Sequence, residues 1–329
     1  MDKPLVSVVT PCYNGAPYLE DYFESLLNQT YENIEMIFVN DGSKDDTEKI
    51  ALLYKKRFEE KSIPFRYIYQ ENHGQANAVN NGFKYVNGKY LIWPDSDDVL
   101  HKDSVKVRVE FLENNLSYDV VRTNGYNFSD NYTHKTSCLS TKECYSGDIF
   151  LDLILEKTYC ACGCYMIRFS RFRELYCDLT IPESSAGQNW QILIPMCGVS
   201  PCGYIDREMY YVRVHNDSHS RSLFGSKEHF EHLNRLKEVL LLGIEKSGRT
   251  DRDYKRIVEI KYYKMFYFDY IKIKDRENSK KYLKKLKKNH ELSFDDYLYY
   301  AREFQPIKFR FVKYLAKFIK SGNSLYDKN

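Results

Sequence analysis

Short apolar runs alternate with amphipathic segments along the N-terminal part of the chain. The run "LVSVVT" is rich in β-branched residues, whereas "APYLEDYFESLLNQ" repeats its apolar residues at the helical period. We predict strands at 5–10, 34–40, 65–70, 89–94 and 118–124. Helices are predicted within 16–29, 47–60 and 74–86, and around Val105, Val109 and Leu112. Strands that alternate with helices indicate βαβ units, and therefore an α/β fold with a mainly parallel sheet.

Polar turns follow three of the predicted strands. The first strand runs into "TPCYNG", the second into "VNDGS" and the fourth into "PDSDD". Ligands of open α/β sheets bind outside the carboxyl ends of the strands, so we expect these turns to meet at one edge of the sheet. Asp95, Asp97 and Asp98 would then face a common crevice.

This acidic cluster favours a divalent cation at the crevice. Carboxylates repel a diphosphate unless a cation bridges the two, and Mg²⁺ and Mn²⁺ prefer oxygen ligands. The alternative interpretation is a solvated acidic turn before the next helix, which Asp103 would cap. Other phosphate motifs do not fit, because the chain has no GxGxxG and "GFKYVNGK" has five residues between its glycines and Tyr90 after its lysine.

The C-terminal part of the sequence has a different pattern. Two long helical segments follow residue 224 without a strand between them, so we place one domain at 1–224 and a helical, basic region at 225–329. The segment 271–288 holds 9 Lys/Arg against 2 acids, and 305–320 holds 5 basic residues and no acid. In 305–320 the apolar residues Phe311, Leu315, Phe318 and Ile319 recur at helical spacing. Such a helix either lies in an anionic membrane interface or packs its apolar stripe on the first domain.

Composition adds little about function. The net charge is only +3, and there are 30 Tyr and 19 Phe among 329 residues. The nine cysteines include "CACGC", in which the CxC spacing without a second pair or a nearby histidine favours packed thiols over a zinc site. The N-terminal residues do not resemble a signal peptide, and no apolar stretch approaches the length of a membrane span. We therefore predict a cytoplasmic protein with reduced thiols.

Four segments resemble, in order and spacing, the family 2 glycosyltransferases of the GT-A fold that build bacterial surface polysaccharides. They are "VSVVTPCYNG", "NIEMIFVNDGSKDDT", "ENHGQANAVNNGF" and "YLIWPDSDDVL", and "AGQNWQILIP" and "YYVRVHNDSHS" are similar to later parts of such proteins. The resemblance implies a metal-dependent, inverting transfer from a nucleotide-sugar, most simply a UDP-sugar, to a hydroxyl of a glycan acceptor. We further expect a lipid-linked acceptor, which fits the membrane-interface interpretation of the basic C-terminal helix and a position on the inner face of the cell membrane. We expect no nucleic-acid partner.

The resemblance also implies roles for individual residues. Asp41 would accept a hydrogen bond from the base, Asp97 and Asp95 would hold Mn²⁺ or Mg²⁺, and His215 would close over the metal or diphosphate. The implied nucleotide-binding residues are Thr10, Pro11, Tyr13, Asn14, Asp41, Asn80, Asp95 and Ser96.

The sequence departs from the family where the general base is expected. Gln188 and Asn189 stand in place of an acidic pair, and neither amide accepts a proton at neutral pH. Three interpretations follow: Asn189 orients the acceptor while Glu183 acts as base; metal and positioning suffice; or the chain is a catalytically silent partner that binds nucleotide-sugar. Gln188 and Trp190 would contact the acceptor, although Trp190 is also a candidate core residue. A sugar-nucleotide pyrophosphorylase is disfavoured, because "TPCYNGAPY" lacks a basic residue.

Overall fold

The computed structural model describes residues 3–129, 134–140, 147–184, 186–214 and 224–310. Its strands are β1 (Val6–Cys12), β2 (Ile34–Asp41), β3 (Phe65–Gln70), β4 (Tyr90–Ile92), β5 (Val99–Leu100), β6 (Val120–Phe128), β7 (Lys135–Cys138), β8 (Tyr165–Arg168) and β9 (Cys202–Arg213). Its helices are α1 (Leu19–Leu27), α2 (Thr47–Glu60), α3 (Gln75–Phe83), α4 (Ser104–Asn114), α5 (Phe150–Ile154), α6 (Phe169–Leu175), α7 (Gln188–Val199), α8 (Lys227–Ser247), α9 (Tyr254–Lys272), α10 (Arg276–Lys288) and α11 (Phe294–Phe304), with a 3₁₀ turn at Cys162–Cys164.

One curled, mostly parallel sheet forms the centre of the fold, in the order β3-β2-β1-β4-β8-β6-β9-β5. The first four strands are parallel neighbours, as the alternating sequence pattern predicts. β8 then runs antiparallel to both β4 and β6, and β9 is parallel to β6. β1, β2 and β4 therefore open their carboxyl ends on the same edge, which positions the three polar turns.

β1 is longer than predicted, because it continues through Pro11 to Cys12. β4 pairs only with Val6–Val8 of β1. Beyond Val8, the edge of β1 that faces β4 has no strand partner among the described residues and so requires no backbone N–H donors. A proline is tolerated in such a position. The predicted end of this strand at Thr10 is thus too early.

Aromatic packing joins the first helices to the sheet. The ring of Phe23 on α1 lies 5.3 Å from Phe38 of β2, 6.0 Å from Phe58 of α2 and 5.8 Å from Phe65 of β3, measured between centroids. Tilted and edge-to-face pairs at such distances stabilise a core beyond their buried area alone. This cluster fixes β2 and β3, and with them the loop that follows β2.

The chain divides into two compact units. The first contains residues 1–221 and 238–254, and the second contains 222–237 and 255–329. The second half of α8 belongs to the first unit because it packs closely on α7, where a Cβ at Gly243 would lie 3.0 Å from Ile194. Arg249 also pairs with Asp148 at 2.5 Å. The predicted division at residue 224 thus lies near the start of the second unit, but the second unit is discontinuous in sequence.

The second unit is helical and rich in tyrosine. Its core contains Tyr267, Ile271, Leu286 and Tyr300. Ser293 and Asp296 form a reciprocal capping box at the start of α11. The predicted apolar stripe from Phe311 to Ile319 lies outside the described residues. No helix in the described part of the chain is long and apolar enough to cross a membrane.

Candidate active site

Hydrogen bonds join the turn after β1 to the turn after β2. The backbone N–H of Asn14 donates to Ser43 Oγ at 2.9 Å, and Asn14 Oδ1 accepts from the N–H of Lys44 at 2.8 Å. Gly15 N donates to Thr47 Oγ1 at 2.9 Å. Asn14 adopts a positive φ of 51°, which asparagine tolerates better than most residues. The predicted convergence of these turns is therefore present in the structure.

The turn after β4, residues 93–98, contains Asp95, Asp97 and Asp98 and is termed the acid turn. Asp95 Oδ1 accepts from Gln75 Nε2 at 2.7 Å, and Asp95 Oδ2 accepts from Cys162 Sγ at 3.3 Å. Its backbone N–H donates to the hydroxyl of Tyr210 at 3.3 Å. Burial and the neighbouring charge of Asp97 raise the pKa of the Asp95 carboxyl to about 6. Asp95 is thus held by neutral donors, which leave its charge uncompensated.

Arg213, at the end of β9, fixes the other side of this turn. Its backbone N–H donates to Asp98 Oδ1 at 2.8 Å, and its Nε donates to the carbonyl oxygen of Asp97 at 2.9 Å. Its guanidinium pairs with Asp21 at 2.7 Å. Burial, followed by the charges of Asp97 and Asp95, raises the pKa of Asp98 well above its ordinary value. Asp98 is therefore a buried support of the turn.

The donor set fits a hard divalent cation in part. Asp95 and Asp97 supply carboxylate oxygens at one turn, and Mg²⁺ sites commonly use one or two carboxylates together with substrate phosphates. Within the described residues no group of three or more His, Cys, Asp or Glu side chains could hold a metal ion. His215, the third predicted ligand, lies outside them. Any remaining ligands would come from substrate, from water or from His215.

Asp41 lies at the end of β2 and is 3% exposed. Its Oδ1 accepts from Gln70 Nε2 at 2.8 Å and from His73 N at 3.0 Å, and its Oδ2 accepts from Gly74 N at 2.9 Å. Asp41 thereby holds the segment that leads into α3, and Oδ2 keeps acceptor capacity beyond this one donor.

The predicted nucleotide-binding residues in and after β1, and Ser96 after β4, differ in exposure. Thr10 is fully buried, with its hydroxyl bonded to that of Tyr22, and Pro11 is buried as well. The Thr10 side chain thus faces the core, because α1 packs on that side of β1. Tyr13 is 46% exposed, and Ser96 is half-buried on the acid turn.

Helix α3 presents a row of amides to several of these groups. Gln75 donates to Asp95, and Asn77 Nδ2 donates to Glu183 Oε1 at 2.7 Å. Asn77 Oδ1 in turn accepts from Gln70 Nε2 at 2.9 Å. Asn80 pairs in both directions with the backbone of Ile181, at 2.8 and 2.9 Å. Asn80 therefore anchors the segment that carries Glu183.

The start of α7 lies beside the end of β4. The indole N–H of Trp93 donates to Asn189 Oδ1 at 3.1 Å. Trp93 is the first residue of the acid turn, so this bond places Asn189 next to that turn. Gln188 is half-buried, and Glu183 is exposed. Trp190 is only 9% exposed, so its ring packs in the core and offers little surface to an acceptor sugar.

Several contributors to the site lie in segments noted in the sequence, but the sequence does not reveal their partners. Cys162 and Arg213 contact the acid turn from positions 67 and 116 residues away in the chain. Gln75 and Asn77 lie in the quoted segment "ENHGQANAVNNGF", but only their placement on α3 identifies their partners.

A family model and several relatives match this chain. The model for glycosyl transferase family 2 matches residues 7–176 of 329. An uncharacterized glycosyltransferase of Rickettsia prowazekii is 41% identical over 144 residues, which are 44% of this chain and 43% of that protein. The putative teichuronic acid biosynthesis glycosyltransferase TuaG of Bacillus subtilis is 40% identical over 110 residues, or 33% of this chain and 42% of TuaG. The matches thus span less than half the length of either relative.

Solved structures agree in fold. TarS 1-349 of S. aureus in complex with UDP superposes with a TM-score of 0.57 at 17% identity, covering 80% of this chain and 71% of that one. The mannosyltransferase PcManGT from Pyrobaculum calidifontis, in complex with GDP-Man and Mn²⁺, gives 0.53 at 13% identity and covers 100% and 89%. These likenesses identify the sheet and its helices as the GT-A fold.

The structure predicts that Asn80 anchors the 178–184 segment. Asn80→Ala leaves the N–H and C=O of Ile181 without partners, so we expect the free energy of unfolding to fall by about 1–3 kcal/mol. Hydrogen exchange followed by mass spectrometry should show faster exchange in peptides covering 178–184. Asn81→Ala is the matched control, because Asn81 is half-buried and bonds to the Gln70 side chain. Unchanged protection of 178–184 in Asn80→Ala contradicts the anchoring role.

Proposed function

The chain belongs to glycosyl transferase family 2, and from this premise we propose that it transfers a sugar from a UDP-sugar to a hydroxyl group of a glycan acceptor, with inversion of configuration. The observation that carries the proposal is the convergence of Asp41, Asp95 and Asp97 on one edge of the sheet. Asp41, suited to a nucleobase, ends β2, and Asp95 and Asp97, suited to a metal–diphosphate, follow β4. Both strands are parallel neighbours of β1, which lies between them.

The nucleotide would lie across the ends of β1 and β2. A uracil N3–H can donate to the remaining acceptor capacity of Asp41 Oδ2, while the exposed ring of Tyr13 offers a stacking surface. In support, TarS has been solved with UDP and with UDP-GlcNAc. Asn14 and Asn80 shape this pocket through the backbone segments they hold.

The diphosphate would meet Asp95 and Asp97 through Mn²⁺ or Mg²⁺. When bound, the cation neutralises the negative charge that develops on the departing diphosphate. The residues around it keep the carboxylates in place, with Gln75 and Cys162 on Asp95 and Arg213 on the Asp97 backbone. PcManGT, which shares the fold, was solved with Mn²⁺.

Glu183 is the proposed general base. Inverting transfer needs a group that removes the proton of the acceptor hydroxyl, and Gln188 and Asn189 cannot do so. Asn77 orients one carboxylate oxygen of Glu183 and leaves the other for the acceptor. Because Asn189 Oδ1 accepts from Trp93, its NH₂ group is the part left to orient an acceptor oxygen.

The acceptor is proposed to be lipid-linked, with the basic C-terminal helices on an anionic membrane. The lysines of α10 that are exposed and form no ion pair within the described residues are Lys280, Lys281, Lys284, Lys287 and Lys288. Basic residues near an anionic surface contribute about 1 kcal/mol each. The predicted tail helix, with Phe311 and Ile319 on its apolar stripe, would add hydrophobic anchoring.

UDP binding should depend on a divalent ion through Asp97. Calorimetry should give at least about tenfold weaker UDP binding in chelator than in Mn²⁺, equivalent to ~1.4 kcal/mol. In Asp97→Ala the two affinities should become similar, because the metal loses a carboxylate. Asp46→Ala, which removes an exposed acid from the turn after β2, should keep the wild-type difference. Equal UDP affinity of the wild type in both buffers refutes the metal-bridged site.

Glu183→Gln should slow transfer by ~10²–10⁴-fold and leave UDP binding nearly unchanged, as expected for loss of a general base. The assay is release of UDP from UDP-sugars with candidate glycan acceptors. Asn81→Ala serves as control, since Asn81 contacts the same amide network without touching Glu183. A wild-type rate in Glu183→Gln assigns the proton to another group or to solvent. UDP binding without any transfer favours a silent partner.

Membrane association should depend on attraction between the basic C-terminal residues and anionic lipids. Full-length protein should float with anionic vesicles and not with neutral ones at low salt. The triple variant Lys280→Glu, Lys284→Glu, Lys287→Glu tests α10, and a chain ending at Phe304 tests the tail. Full-length protein that ignores anionic vesicles at low salt shows that both basic segments are solvated or packed.

A further inference from the structure

Arg122, on β6, is a buried cation with unused hydrogen-bond donors. The residue is 0% exposed. Its Nη1 donates to Thr158 Oγ1 at 2.6 Å. Nε and Nη2 have no well-aligned hydrogen-bond partner within the described parts of the chain, and the neutral Tyr165 hydroxyl is a second side-chain oxygen that interacts with the guanidinium. No carboxylate of these parts forms an ion pair with it. Burying a charge without a counter-charge is costly, so this arrangement calls for an explanation.

A second buried arginine shows what full satisfaction looks like in this fold. Arg108 is also 0% exposed. Its Nε donates to the carbonyl of Ser104 at 2.9 Å, its Nη1 to the carbonyls of Gly163 and Tyr165 at 2.7 and 3.0 Å, and its Nη2 to Ser104 Oγ at 2.8 Å. The fold thus supplies well-aligned acceptors to all three nitrogens of Arg108, but within the described residues to only one nitrogen of Arg122.

The two unused nitrogens of Arg122 lie on one edge of the guanidinium. Nε–H and the adjacent N–H of Nη2 are parallel, and this pair binds two oxygens of one carboxylate or phosphate in a bidentate manner. The surroundings are aromatic, with the guanidinium carbon 5.1 Å from the ring centre of Tyr159 and 5.4 Å from that of Tyr204. The hydroxyl of Tyr165, on the neighbouring strand, donates to the carbonyl of Tyr159. These groups hold the cation in place but carry no negative charge.

We propose that Arg122 is the base of an oxyanion site that accepts a carboxylate or phosphate group beneath the segment 158–162. Thr158, Tyr159 and Tyr204 are half-buried and contact the guanidinium, so these side chains would have to move apart to admit the anion. The same segment continues to Cys162, which donates to Asp95. An anion at Arg122 would therefore bind next to the segment that supports the acid turn. The site does not depend on the proposed transferase activity.

Thermal unfolding of the full-length protein tests this site without any donor or acceptor. The probes are sodium glucuronate, which carries a sugar carboxylate, and inorganic phosphate, each compared with sodium chloride at equal ionic strength. We expect at least one of them to raise the wild-type Tm by about 2–5 °C near saturation. Which of the two does so identifies the source of the oxyanion.

Arg122→Lys keeps the charge but lacks the two-donor edge, so it should lose this rise in Tm. Arg173→Lys, the same exchange at an exposed position on α6, should keep it. Thr158→Asp places a carboxylate beside the guanidinium, so it should raise the Tm in chloride and abolish the response to added anion. This variant decides the matter if Arg122→Lys does not fold. The proposal is wrong if neither anion raises the wild-type Tm, if Arg122→Lys responds as the wild type does, or if Thr158→Asp leaves both the Tm and the response unchanged.

Discussion

Like charges gathered at one edge of the sheet are the constraint to which the rest of this structure responds. Asp95, Asp97 and Asp98 stand within four positions, and burial together with their mutual repulsion raises the pKa of Asp95 and Asp98. A turn of this kind is stable only if its carboxylates are held by donors from elsewhere in the fold. Those donors come from α3, from the 3₁₀ turn and from β9, which are distant in sequence.

The donors are mostly neutral, and this matters for chemistry. An amide or thiol donor fixes a carboxylate without cancelling its charge, whereas a paired guanidinium would compete with a cation. Arg213 illustrates the distinction, because it gives its backbone N–H to Asp98 and its charge to Asp21. Helix α3 concentrates such neutral donors on one element, through Gln75, Asn77 and Asn80. A shift of α3 would therefore reach Asp95, the proposed metal ligand, and the proposed base together.

The sequence predicts the first half of the fold well, because local signals and tertiary structure agree there. The strands at 34–40 and 65–70 and the helix at 47–60 match β2, β3 and α2 closely. The antiparallel insertion of β8 between β4 and β6 was not predicted, since register across a sheet is a non-local property. In the same way, the motifs predict Asp41 and Asp95 as candidate site residues, and the structure places both at the carboxyl ends of parallel strands. They do not reveal that Thr10 and Trp190 face the core, because exposure depends on which elements pack on each other in the folded chain.

The replacement of an acidic pair by Gln188 and Asn189 changes what the start of α7 can contribute. With Asn189 Oδ1 accepting from Trp93, that position presents a donor, whereas the sequence resemblance implies a proton acceptor there. A donor orients a hydroxyl by its lone pair and so leaves the hydroxyl proton directed elsewhere. In the proposed mechanism that proton points to Glu183, whose segment is tied to α3 by Asn77 and Asn80. Under that proposal, positioning and proton removal are divided between two elements, and α3 is the part of the fold that holds the proposed proton acceptor in place relative to the acid turn.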